Sequence, residues 1–167
     1  MSKNALRYPS VDAMPESMQG PARRALERGK VSRAPVSREK RPRRDEEHNE
    51  QVVFFNRVRT LAINDPRYAA AARRTYSIPN GARVQKRTAG RLKAEGLKEG
   101  VSDTFTSYPS GNFHGLYIEM KSRTGSPSRQ QSDWIQDSLA LGYMAACCRG
   151  ADEAMQVWRS YVEASFV

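Results

Sequence analysis

No stretch of about 18 consecutive apolar residues occurs in the chain, which argues against a membrane-spanning helix. The opening MSKNALRYPSVDAMPES lacks the apolar core of a secretory signal. Cysteine is nearly absent. Cys147 and Cys148 are adjacent; neighbours rarely bridge, and two cysteines alone make no zinc site. They read as two small apolar residues in a strand of a cytosolic protein. The histidines, His48 and His114, lie too far apart in sequence to suggest a metal pair, and His114 reads as a turn residue. Neither standard glycine-rich phosphate loop is present. No Ser-His-Asp or Cys-His set can be placed, and no internal repeat is visible.

What is there is positive charge. Lys and Arg number 28 against 18 Asp and Glu, a formal charge of +10 over 167 residues. Such an excess favours a polyanionic partner, nucleic acid before an acidic membrane surface. The membrane is further disfavoured because no strongly amphipathic basic helix exposes aromatics. Much of the excess lies in residues 1–44, where GPARRALERGKVSRAPVSREKRPRR mixes Pro, Gly, Ser and Arg. That segment has too few large apolar residues to offset its ordering entropy. It is expected to be a disordered basic tail, either touching phosphate backbones or merely solubilising the chain.

The folded part is expected over residues 45–167. DEEHNEQVVFFNRVRTLAIN carries Gln51, Phe54, Phe55, Val58 and Leu61 at helical spacing, with acids in its first turn. Tyr76–Ile78 reads as a strand entering a Pro79-Asn80-Gly81 turn. VQKRTAGRLKAEGLKEG reads as a basic helix stopped by Gly96 or Gly100. One face of it, including Arg83, Lys86, Arg87, Arg91, Lys93 and Lys98, either lines a DNA groove or is simply solvated. VSDTFTSYPSGNFHGLYIEMKS reads as a β-hairpin joined through Pro-Ser-Gly-Asn. SPSRQQSDWIQDSLALG is a helix closing on Gly142, YMAACCRG a buried strand, and ADEAMQVWRSYVEASF an amphipathic helix burying Ala154, Val157, Trp158 and Tyr161. The result is an α/β fold built on one small mixed β-sheet.

The chemistry concentrates in GLYIEMKSRTG. Strand side chains alternate, so Leu116, Ile118 and Met120 share one face, and Tyr117, Glu119 and Lys121 the other. Helices on both faces would leave Glu119 and Lys121 partly desolvated, where charge is costly without a partner, metal or reaction. A hairpin brings Asp103 beside Glu119. Two oxygen donors next to an ammonium suit one hard cation, Mg²⁺ or Mn²⁺. The alternative is an ordinary surface Glu–Lys pair. Glu50, one turn before Phe54, is a candidate third acid, with Glu46 and Glu47 competing for that role; each of the three also suits a helix N-terminus. Gln131, one turn before Trp134 and Ile135, can form a capping box with Ser128, which is compatible with its reaching a catalytic lysine or a phosphate.

In order, NEQ at 49–51, IPNGAR at 78–83, TAGRLKAEGLKEGVSD at 88–103, FHGLYIEMK at 113–121, SRQQSDW at 128–134 and GYMAACCRGADEA at 142–154 resemble the VRR-NUC domain. This is the virus-type replication-repair nuclease branch of the PD-(D/E)XK superfamily, here in the short stand-alone form typical of bacteriophages. The resemblance implies a restriction-endonuclease-like core flanked by helices on both faces, and Mg²⁺- or Mn²⁺-dependent cleavage of DNA. It implies catalytic roles for Asp103, Glu119, Lys121 and Gln131. It implies metal ligation by Asp103, Glu119, the Met120 carbonyl and the first-helix acid, matched here by Glu50. It also implies a homodimer, selectivity for branched or junction DNA, and location in the host cytoplasm for a phage-encoded chain. Ser102 stands where the pattern has proline, which removes a backbone stiffener but no ligand. The competing function is a non-catalytic nucleic-acid-binding or packaging accessory, which the net charge suits equally.

Overall fold

The computed structural model describes residues 43–79 and 86–166, together with residues 16, 19, 20 and 23, which are helical. The rest of the expected tail, Asn80 and Gly81 of the expected turn, and Arg83 of the expected basic helix lie outside the described residues.

Helix α1 (Arg43–Asn64) buries Phe54 and Val58, one turn apart, with Phe55 and Leu61 packed alongside. Asp65 ends it and starts the next element. Its side chain accepts from the Arg67 amide at 3.1 Å, and Pro66 opens a 3₁₀ turn over Pro66–Tyr68 that runs into α2 (Ala69–Arg73). Sequence periodicity did not anticipate this pair: five alanine-rich residues are too few to show a helical repeat. Strand β1 (Thr75–Ser77) starts one residue earlier than expected. Helix α3 (Lys86–Ala94) ends just before Gly96, which takes a φ of 99°. Then come β2 (Thr104–Thr106), β3 (Leu116–Lys121), α4 (Arg129–Ala140), β4 (Met144–Arg149) and α5 (Gly150–Glu163).

The sheet order is β1-β2-β3-β4. The first two neighbour pairs are antiparallel and β3–β4 is parallel, which makes the sheet mixed. Strands β3 and β4 are the interior of the fold. Leu116, Ile118 and Met120, with Met144, Ala146 and Cys148, pack against α1, α2 and α5 through Phe54, Val58, Ala71 and Trp158. Ala145 and Cys147 face the other way, under Ile135 and Leu139 of α4. The two cysteines thus serve opposite faces of one strand, both buried and unbridged. Helices on both faces were expected, and they explain why β4 reads as a continuous apolar run rather than an alternating one.

Trp158 ties the layers together. Its ring stacks on Tyr68 with centroids 5.9 Å apart, and its indole donates to Thr75 Oγ1 at 2.9 Å. Thr75 Oγ1 in turn donates to the Ala71 carbonyl at 2.8 Å. One buried aromatic therefore links α5 to β1 and α2, with its polar atom satisfied.

The β4–α5 junction depends on Gly150. Its φ is 81°, and a Cβ there would lie 3.2 Å from Glu50 Oε2. That same oxygen accepts from the Ala151 amide at 2.7 Å, so α1 caps the start of α5. Gly150→Ala is expected to lower stability by about 1–2 kcal/mol through positive-φ strain and displacement of Glu50. Urea unfolding reads this as a lower midpoint at unchanged slope; an unchanged midpoint would remove the junction as a stabilising constraint.

Candidate active site

Thr104 pairs with Ile118, and continuing that register one step puts Asp103 opposite Glu119. Beyond this point no strand among the described residues pairs with β3 on its β2 side. The Met120 amide donates instead to Asp103 Oδ2 at 2.8 Å. In a strand the carbonyl of a residue points to the same side as its amide, so the Met120 carbonyl lies along the edge that Asp103 occupies. Gly100 lets the chain reach this position. Its φ is 88°, and a Cβ would come within 2.8 Å of the Gln130 carbonyl at the start of α4.

Glu119 is fully buried, at 0 % exposure. Its Oε1 accepts from Lys121 Nζ at 2.6 Å and from Gln131 Nε2. Its Oε2 has no partner. Burial, and then the charges of Asp103 and Glu47, push the Glu119 carboxyl up to about 8 despite the adjacent ammonium. Burial pulls Lys121 down, but the charges of Glu119, Glu47 and Asp103 outweigh it and hold the ammonium above its ordinary value. The group therefore retains protons, which is the expected state of clustered carboxylates without a compensating cation.

Gln131 forms the capping box that its sequence position suggested. Its Oε1 accepts from the Ser128 amide at 2.8 Å, and its own amide donates to Ser128 Oγ at 3.2 Å, a full capping box. With the side-chain oxygen fixed, the NH₂ is aimed at Glu119. Its partner is the acid, not the lysine. The first-helix acids separate. Glu50 is bonded at the start of α5. Glu47 accepts from the Ser122 amide at 3.2 Å, and its charge reaches Glu119 and Lys121. Glu46 is exposed.

Four buried polar side-chain atoms among the described residues lack a partner: Ser102 Oγ, Glu119 Oε2, Ser122 Oγ and Trp134 Nε1. All belong to the site's own segments. Ser102 precedes Asp103, Ser122 follows Lys121, and Trp134 lies one turn after Gln131. Buried polar atoms are ordinarily paired. No sequence signal distinguished Ser122 or Trp134 as site residues.

No group of three or more His, Cys, Asp or Glu arranged to hold a metal occurs among the described residues. Asp103 and Glu119 lie beside β3 with the Met120 carbonyl along the same edge, and Glu47 meets the chain at Ser122 just beyond the strand. These are hard oxygen donors, and the unpartnered Oε2 is directed to no internal donor. The residues present fit one hard divalent cation better than a soft metal.

A mixed four-stranded sheet covered by helices on both faces, with paired acids where β2 leaves β3, defines a restriction-endonuclease-like fold. More particularly, the chain is similar to a solved structure described as a VRR_NUC domain protein. The match has a TM-score of 0.58 at 22% sequence identity and covers 72% of this chain and 90% of that one. No family model and no curated protein matches. At that identity the likeness defines the fold.

Glu119 has a folded pKa of about 8 against an ordinary 4.5. Its contribution to stability is therefore full below pH 4.5 and lost as pH rises through 8. In metal-free protein, Glu119→Gln removes this loss while keeping an acceptor for Lys121 and Gln131. The variant's melting temperature is expected to gain on wild type between pH 4.5 and pH 8, by the equivalent of a few kcal/mol. A gap independent of pH would contradict the buried-charge account.

Proposed function

We propose that the chain is a metal-dependent endonuclease that hydrolyses DNA phosphodiester bonds. The observation that carries this reading is Glu119: a buried carboxylate with one free oxygen, opposite Asp103 and bonded to Lys121. A pure binder of polyanions gains nothing from carboxylates gathered at its site. The fold likeness to a VRR_NUC domain protein and the charge of +10 support the same reading.

In this proposal Asp103, Glu119 Oε2 and the Met120 carbonyl would hold Mg²⁺ or Mn²⁺, together with a first-helix acid, Glu50 or Glu47. Bound there, the cation supplies Lewis-acid polarisation of the phosphodiester and lowers the pKa of a water. Lys121, bonded to Glu119, would stabilise negative charge gathering on the phosphoryl oxygens, or position or deprotonate the attacking water. Gln131 anchors Glu119 Oε1 from a capped helix, so that Oε2 stays directed away from Lys121. Water attacks phosphorus in line with the 3′-oxygen; the P–O3′ bond breaks, the water's proton is passed to solvent and the 3′-oxygen takes one up, leaving a 5′-phosphate and a 3′-hydroxyl. The substrate is branched or junction DNA, cut by a homodimer, and the basic tail adds backbone affinity.

A cleavage panel of branched, single-stranded and duplex DNAs with Mg²⁺ or Mn²⁺ tests this. Asp103→Ala, Glu119→Ala and Lys121→Ala are each expected to abolish cutting while retaining most DNA binding. Added Mg²⁺ or Mn²⁺ is expected to raise the melting temperature of wild type but not of Asp103→Ala. Full cleavage by a clean Lys121→Ala preparation would sink the mechanism. Binding without cleavage under every metal condition would instead favour a nucleic-acid-binding accessory.

A further inference from the structure

We infer that Arg149 is a DNA-phosphate-binding residue of the same site, seating the substrate backbone beside Lys121; this rests on the nuclease reading above. Strand β4 runs parallel to β3, and its register pairs Glu119 with Cys147 and Lys121 with Arg149. Cys147 packs toward α4, on the face that carries Glu119 and Gln131. Side chains alternate along an extended strand. Arg149 keeps an extended backbone, with φ −96° and ψ 95°, so it shares that face with Lys121. Neighbouring strands lie about 4.8 Å apart, which puts two cations side by side at the ends of two parallel strands.

The two differ in access. Lys121 is largely enclosed and bonded to Glu119, whereas Arg149 is exposed. The guanidinium also has no ion-pair partner among the described residues. Arg57 is taken by Asp152, Arg159 by Glu163, Arg91 by Glu95 and Lys93 by Glu99. The Glu153 carboxylate accepts from the Arg149 backbone amide at 2.7 Å, which fixes the main chain at the strand end. Nor does the start of α5 offer a competing anion site, because Glu50 already occupies the Ala151 amide.

The electrostatics favour such a group. Asp103, Glu119 and Glu47 gather carboxyl groups where a polyanion must approach, and an exposed cation at the edge of that set offsets their repulsion of the incoming backbone. An unpaired guanidinium beside them offers two parallel N–H donors to the non-bridging oxygens of one phosphate, a geometry that lysine does not match. Arg149 acts on the substrate and not on the fold, since it is exposed at a strand terminus.

The test uses the full chain with a fluorescein-labelled four-way junction. Binding is read by anisotropy in EDTA, and KM and kcat by cleavage with Mg²⁺ or Mn²⁺, both across a salt series. Arg149→Ala is expected to weaken binding and raise KM roughly tenfold with a smaller change in kcat. The slope of log affinity against log salt should fall by about one. Arg149→Lys restores the slope and part of the affinity, and Arg159→Ala on the same protein changes neither. Melting temperatures stay at the wild-type value. Wild-type affinity, KM and salt slope in Arg149→Ala would overturn the inference. The binding arm needs no turnover, so a wild-type protein that binds but never cuts overturns the nuclease reading and still decides the role of Arg149.

Discussion

Glu119 is a carboxylate at the centre of a sheet, fully out of water, with one oxygen bonded twice and the other not at all. An ionised group in that position is destabilising unless its surroundings hold it. Two neighbours offset part of that cost, though not enough to keep the carboxyl at its ordinary value. Lys121, two residues along the strand, supplies the charge. Gln131, one helix away, supplies a neutral donor. Asp103, across the sheet, works against ionisation and makes the unbonded oxygen costlier still. The strain is local, as expected where a fold holds a reactive group rather than a packed one.

That arrangement needs rigid supports, and each has a physical origin. The apolar face of β3 fixes the strand, because a slip of one residue would send Leu116, Ile118 and Met120 out of the core. The capping box fixes Gln131, because its oxygen is used at the start of α4. Gly100 and Gly150 allow two close approaches, one of the incoming chain to α4 and one of α1 to α5. Glu47 and Glu50, on the same side of α1, then meet the chain just beyond β3 and β4 respectively. The first helix thus closes the site's end of the parallel pair, and the charge of Glu47 reaches Glu119.

Much of this was legible in the sequence, for identifiable reasons. Alternation in Leu116–Lys121 announced which face Glu119 would take, and helical spacing announced Phe54, Val58, Trp158 and Tyr161 as core. Gly96 ended its helix as glycine does. The hairpin reading gave the antiparallel pairing that sets Asp103 against Glu119. What escaped was short or relational. The 3₁₀ turn and α2 fall below the length at which a period can be seen. Glu46, Glu47 and Glu50 could not be separated, since a helix rotates successive residues by about 100° and only the packed face decides which acid meets which strand.

The sequence by itself determined the alternating strand, its acid–lysine pair, the upstream aspartate and the α/β layering, because these follow from local periodicity and from hydrophobic burial. The tertiary structure alone decided the rest. The parallel pairing of β3 with β4, which brings Arg149 beside Lys121, is set by a crossover through α4 that no local pattern encodes. Glu119's unbonded oxygen, the dual use of Gln131 and the assignment of Glu47 and Glu50 to different partners likewise arise only when separate segments meet. Periodicity fixes which face a side chain takes; packing fixes what it finds there.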